Sequence, residues 1–135
     1  SMICVEDVID SLNWVESVGG VEALIKHSGE NLKIVSDWID GSDSFKFLCD
    51  DESARSSTSI TVAIKDESFT SKNEDDQRVL VKKIVTLLDD EGVAFDIGGY
   101  PKAPASLRLW GGPTVQNDDM KAVLPWIEWA YQEVK

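Results

Sequence analysis

The order in which hydrophobic periodicity changes along the chain is the strongest constraint on its fold. Two stretches with apolar residues at helical spacing come first, Val5–Val18 and Val21–Ile39, with Gly19-Gly20 between them. Four later segments alternate or are rich in β-branched residues, which predicts strands at Phe45–Cys49, Ser59–Ile64, Val93–Ile97 and Ser106–Trp110. The chain therefore combines long helices with short strands.

Two further helices complete the pattern. One has its apolar stripe between Leu80 and Leu88 and ends at Gly92, and the other runs from about Asp118 to Val134. The order α-α-β-β-α-β-β-α predicts an α+β fold, a two-layer sandwich with a small, mainly antiparallel sheet and helices packed on one face. We expect residues 1–19 to form a connector helix and residues 20–135 to form the compact domain.

Composition limits the classes of partner. The 135 residues carry a formal net charge of -12, which repels nucleic acids and anionic membranes, so we expect neither as a partner. The N-terminal residues lack a signal-peptide pattern. Cys4 and Cys49 have no metal or redox spacing, which predicts reduced core thiols in a cytoplasmic protein. His27 is the single histidine, so we expect no metal site of the imidazole type.

The segment from Gly98 to Gly112 holds the strongest candidate for function. Arg108 lies between Leu107 and Leu109, and alternation within a strand turns its side chain away from both leucines. A guanidinium on a rigid strand is suited to bind a carboxylate through two parallel hydrogen bonds. From the residues alone, a structural ion pair is favoured over a site for an anionic ligand.

Four separated blocks of sequence favour a site for an anionic ligand at Arg108 over a structural ion pair. They are "SMICVEDVIDSLNWVESVGGVEALI", "ARSSTSITVAI", "GVAFDIGGYPKAPASLRLWGG" and "AVLPWIEWAYQEV". Together they resemble the C-terminal part of the phosphoserine aminotransferase family of class V, fold type I pyridoxal-phosphate enzymes. The resemblance implies the small domain of an enzyme that converts 3-phosphohydroxypyruvate and glutamate to phosphoserine and 2-oxoglutarate in serine biosynthesis. It also implies pyridoxal 5'-phosphate as the cofactor and a homodimer as the parent assembly.

The same resemblance assigns roles to three residues. Arg108 would hold the α-carboxylate of the substrate, and Tyr100 and Lys102 would lie on its phosphate side. Pro101 stands where this branch of the family has arginine, and three alternatives stay open. One is another class V transaminase, of serine–glyoxylate or alanine–glyoxylate type. The second is a non-catalytic α+β module that binds a small ligand, and the third is a structural domain in which Arg108 is only an ion-pair partner.

The resemblance places the Schiff-base lysine, and the aspartate that pairs with the pyridine nitrogen, on a large domain outside these residues. We therefore expect no catalytic residue and no bound cofactor in this chain, and we expect it to be inactive alone. The face that would meet the large domain should be apolar and exposed. We expect the chain to self-associate through that face, with the Val5–Val18 helix as its centre.

Overall fold

The computed structural model describes residues 1–135 and contains five helices and a three-stranded sheet. The helices are α1 (Met2–Ser17), α2 (Gly20–Gly41), α3 (Glu67–Thr70), α4 (Glu74–Asp90) and α5 (Asn117–Val134). The strands are β1 (Phe45–Phe47), β2 (Ser59–Ile64) and β3 (Leu107–Trp110), and a 3₁₀ turn covers Glu52–Ala54. The predicted α+β class is confirmed.

The sheet is antiparallel throughout and has the order β1-β2-β3. Phe45 pairs with Ile64 on one side of β2, and Arg108 pairs with Thr61 on the other. Because side chains alternate across a strand, Leu107 and Leu109 are buried in the core whereas Arg108 lies on the opposite face. The predicted orientation of Arg108 within its strand is therefore confirmed.

One hydrophobic core joins the sheet to the longer helices. Helix α5 packs against both α2 and α4, and β1 packs against α2. Tyr131, Phe45 and Ile84 are fully buried in this cluster. Each side chain of that size stabilises the fold by about 1.5–3 kcal/mol through burial, which is enough to fix the sheet against the helices.

The segment Val93–Ile97 is not the strand that its sequence predicted. The amides of Val93 and Ala94 both donate to the carbonyl of Leu88, and Gly92 has a φ of 68°, so these residues close the C-terminus of α4. Asp96 then adopts a φ of 52°, which is incompatible with an extended strand. Beyond Asp96, a single bridge from Gly98 to Leu107 connects the chain to the sheet.

Helix α3 lies in a segment that reads as a charged, exposed loop. Asp66 caps it by accepting a hydrogen bond from the Ser68 amide at 2.9 Å, and Phe69 reaches the core. A helix this short has no periodic stripe, so its one buried residue gave no signal.

Helix α1 stands apart from the core and has no buried residue. Five of its large apolar side chains are more than half exposed, Met2, Ile3, Val5, Val8 and Leu12. The exposed apolar face is thus present as predicted, while the assignment of residues 1–19 as a connector stays a prediction.

Cys4 is exposed and Cys49 is half-buried, so placing both thiols in the core was wrong. None of the helices has the length and apolarity that crossing a bilayer requires.

Candidate functional site

Arg108 is the centre of the candidate site, and its guanidinium has few partners. The Cζ atom lies 4.8 Å from the centre of the Tyr100 ring, and Nη2 lies 3.6 Å from Oδ2 of Asp96. The Nε atom is buried and has no hydrogen-bond partner. The Nε proton is therefore closed to a ligand, and the N–H donors of the two Nη atoms are those available to bind an anion.

The contact with Asp96 is too weak to explain why Arg108 is there. The Asp96 side chain is 94% exposed, and 3.6 Å is longer than a charge-assisted hydrogen bond. Ion pairs of this kind contribute about 0–1 kcal/mol. The ion pair that the residues alone favoured is therefore present, but its partner is an exposed aspartate and not a buried carboxylate.

The backbone around Arg108 is fixed on the side of the preceding loop. The Arg108 amide donates to the Ile97 carbonyl at 2.8 Å, and the Gly99 amide donates to the Ser106 carbonyl at 2.9 Å. A Cβ on Gly99 would come within 2.8 Å of the Ser106 carbonyl oxygen, so only glycine allows this approach. The loop is thereby closed at its base, and Tyr100 begins its outer turn.

The far end of β3 is held by a buried asparagine of α2. The Asn31 amide group donates to the carbonyls of Gly111 at 3.2 Å and Val115 at 3.0 Å, and its oxygen accepts from Asn117 at 2.9 Å. His27 adds a 2.7 Å contact from Nε2 to the Val115 carbonyl, which is a structural role. Asn31 was not singled out from the sequence, although a polar residue within an apolar helical stripe is a usable signal.

A groove of about 430 Å³ opens beside Arg108. Its walls are mostly apolar and include Phe95, Trp110 and Met120. The charged residues that line it are Arg108, Asp96 and Asp119. Arg108 is thus the single cation in an apolar groove, where an anion interacts with it more strongly than in open water.

The structure brings together two of the three predicted site residues. Tyr100 is half-exposed and places its ring against the Arg108 guanidinium. Lys102 is exposed in the same turn, and no hydrogen bond or ion pair links its side chain to either residue. Asp96 was missed as a neighbour because it belonged to a predicted strand, and its contact with Arg108 depends on its positive φ.

Similarity to known proteins covers the whole chain. A phosphoserine aminotransferase of Methanosarcina mazei is 36% identical over 135 residues, and one of Methanosarcina barkeri is 37% identical over 137 residues. Each alignment takes in 100% of this chain but 34% of the relative, so the chain spans about one third of the length of these curated relatives. No protein-family model matches the sequence.

Solved structures share the fold at lower sequence identity. The phosphoserine aminotransferase from Bacillus circulans subsp. alkalophilus superposes with a TM-score of 0.69 and 22% identity, over 90% of this chain and 30% of that one. An Oryza sativa TDC determined with PLP and tryptamine gives a TM-score of 0.65 and 18% identity, over 88% and 25%. Over all 135 residues the chain is thus similar in sequence to phosphoserine aminotransferases, and its α+β fold matches part of the solved aminotransferase structure.

Proposed function

We propose that the chain is the small domain of a pyridoxal-phosphate-dependent phosphoserine aminotransferase, in which Arg108 binds the α-carboxylate of the substrate. The observation that carries the proposal is the Arg108 guanidinium, whose Nη groups have as their nearest carboxylate an exposed aspartate at 3.6 Å. Similarity to phosphoserine aminotransferases along all 135 residues supports the choice of reaction.

In this proposal Arg108 binds and orients the substrate. Its planar fork would donate two hydrogen bonds to one carboxylate, and the rigid strand β3 would fix the direction of the rest of the molecule. The substrate carboxylate would replace Asp96, which is held only weakly. The Tyr100 ring limits the orientations of the guanidinium, so less freedom is lost on binding.

Pyridoxal phosphate would supply the electron sink for transamination when bound to the parent enzyme. In this proposal its site lies on the large domain. All ten lysines are exposed, and none has the buried apolar surroundings that a lysine bonded to the cofactor needs. The cofactor, the homodimer and the large domain are therefore part of the proposed parent, and this chain alone would be inactive.

Lys102 is our candidate for the second anionic group of the substrate. Pro101 has no amide hydrogen, and its carbonyl accepts from Arg78, so it offers nothing to a phosphate. The next residue, Lys102, is an exposed cation that takes part in none of the ion pairs of the chain. A phosphorylated keto acid would thus have its carboxylate on Arg108 and its phosphate near Tyr100 and Lys102.

The test is steady-state kinetics of the complete enzyme with Arg108→Ala. We expect kcat/KM to fall about ten- to a hundredfold for both substrates, because each loses charge-assisted hydrogen bonds to its α-carboxylate. Arg108→Lys keeps the positive charge but lacks the planar pair of donors. Its kcat/KM should lie between that of Arg108→Ala and that of the unmodified enzyme. Lys102→Ala should raise KM for the phosphorylated acceptor and leave that for glutamate unchanged.

Lys83→Ala is the matched control, because it removes an exposed cation that has no ion pair in the chain. Its kinetics should equal those of the unmodified enzyme. Unchanged kinetics for a folded Arg108→Ala enzyme would contradict the proposal. An equal effect of Lys102→Ala on both substrates would remove Lys102 from the site and leave Arg108 in it.

A further inference from the structure

Arg78 of α4 connects the candidate site to the body of the domain. Its Nη2 donates to the Ala103 carbonyl at 2.8 Å, and its Nη1 lies 3.3 Å from the Pro101 carbonyl. Glu74, one turn earlier on α4, accepts hydrogen bonds from Nε and Nη2 of the same guanidinium. Arg78 is therefore held by the helix on one side and by the loop on the other.

The loop that Arg78 contacts is the one that carries Tyr100. The Ala103 amide donates to the Tyr100 carbonyl at 2.9 Å, which closes a turn whose tip includes Pro101 and Lys102. Gly99 and Ser106 fix the base of the loop. The side-chain contacts that fix the outer turn are those from Arg78.

Tyr100 is in turn the aromatic neighbour of the Arg108 guanidinium. The Tyr100 ring is half-exposed, and it stacks on the Arg108 guanidinium at 4.8 Å. Arg108 has no buried carboxylate to orient it, and its Nε donates to nothing. A shift of the turn would therefore move the ring, and the guanidinium would lose its main neighbour.

We propose that Arg78 is a positioning residue for this site: by fixing the turn from Tyr100 to Ala103, it holds the Tyr100 ring against Arg108. Arg55 fixes another loop in the same way. It donates to the carbonyls of Cys49 at 3.1 Å and Asp50 at 3.2 Å and fixes the loop after β1. Arg78 differs because the loop that it fixes carries the aromatic neighbour of the free guanidinium.

The first experiment uses the 135-residue chain and nuclear magnetic resonance. The Arg108 Nε is buried, so its proton is shielded from water and its resonance reports the ring current of Tyr100. Tyr100→Leu gives the position of that resonance without the ring. We expect Arg78→Ala to move it most of the way toward the Tyr100→Leu position, and Arg78→Lys to move it part of the way.

Lys83→Ala is again the matched control, since it removes one exposed cation from α4 without touching the loop. Its Arg108 resonance should stay in place. A folded Arg78→Ala chain whose Arg108 resonance is unshifted would overturn the inference. If Arg78→Ala does not fold, Arg78→Lys decides in the same way, because it lacks the fork that reaches both carbonyls.

The second experiment rests on the proposed function and uses the complete enzyme. Arg78→Ala should raise KM for carboxylate substrates about two- to fivefold, the range that loss of one cation–π contact gives, with kcat little changed. The effect should vanish when Arg108 is already alanine. If Arg108→Ala leaves kcat/KM unchanged, the proposed function is refuted, whereas a shifted Arg108 resonance in Arg78→Ala would still support the positioning role of Arg78. If Arg108→Ala lowers kcat/KM but Arg78→Ala leaves the Arg108 resonance in place, the positioning role of Arg78 is refuted and the proposed function stands.

Discussion

The three arginines of the chain differ in what their guanidinium groups contact. Arg55 and Arg78 each donate to two backbone carbonyls and fix a loop. Arg108 donates to no carbonyl and has a buried Nε without a partner. An unsatisfied buried donor costs about 1–3 kcal/mol, so Arg108 does not serve the stability of the domain.

That contrast predicts that replacing Arg108 and replacing Arg55 change the free energy of unfolding differently. Arg108→Met should leave the free energy of unfolding unchanged or raise it by up to about 1 kcal/mol, because an unsatisfied donor is replaced by apolar atoms. Arg55→Met, the matched variant, should lower it by about 1–2 kcal/mol through two lost hydrogen bonds. Urea unfolding of both chains measures the difference, and an equal loss of stability in the two would refute it.

The sequence was sufficient to orient Arg108, and insufficient to describe its neighbours. Alternation of Leu107 and Leu109 with Arg108 gave the face of the sheet correctly. The contacts with Tyr100 and Asp96 depend on a turn and on a positive φ, and no periodic pattern encodes either of them. The role of Arg108 came from the family resemblance and is still to be tested.

At the scale of elements, the sequence predicted the long periodic helices well, but it did not predict the short helix α3 or the structure of the segment Val93–Ile97. The apolar stripes located α2, α4 and α5 because each buries several side chains at regular spacing. The segment Val93–Ile97 has the composition of a strand, but its amides close the end of α4. Helix-capping hydrogen bonds override strand propensity in such a segment.

The short helix α3 predicts a pH dependence of stability. The Ser68 amide that donates to Asp66, with the Ser68 and Tyr131 hydroxyls, lowers the pKa of Asp66 below its ordinary value of 3.8. Since the folded state favours the ionised form, this contribution is fully present above the unfolded pKa and is lost as the pH falls through the folded one.

Asp66→Ala should accordingly be less stable than the unmodified chain at neutral pH, and the difference should disappear in strong acid. Urea unfolding across the acid range measures it. Asp10→Ala, which removes an exposed carboxylate from α1, should show no such convergence. A difference for Asp66→Ala that is the same at every pH would contradict the assignment.

At the scale of the whole molecule, helix α1 and the net charge have opposite effects on self-association of the chain. The exposed apolar side chains of α1 favour association, but this helix has several acidic residues and no basic one, and the chain carries a charge of -12. Repulsion between copies is screened by salt, whereas apolar contact is not. In the proposed parent, the same face would meet the large domain.

We therefore expect the 135-residue chain to self-associate more strongly as ionic strength rises. Sedimentation velocity at low and high salt measures this, over a range of protein concentrations. Leu12→Asp, which places a charge on the exposed apolar face, should abolish the salt-dependent species, whereas Lys83→Ala on α4 should not. A chain that stays monomeric at high concentration and high salt would contradict the prediction.

The unpartnered Nε of Arg108 also bears on how this domain would respond to random mutation. A screen that scores only the amount of folded protein in a cell would rank Arg108 among the positions free to vary, and would mark Arg55 and Arg78 as constrained. If the parent has the proposed activity, selection for growth without added serine would reverse the rank of Arg108. The residue on which the proposed activity depends would thus be invisible to any assay that measures abundance alone.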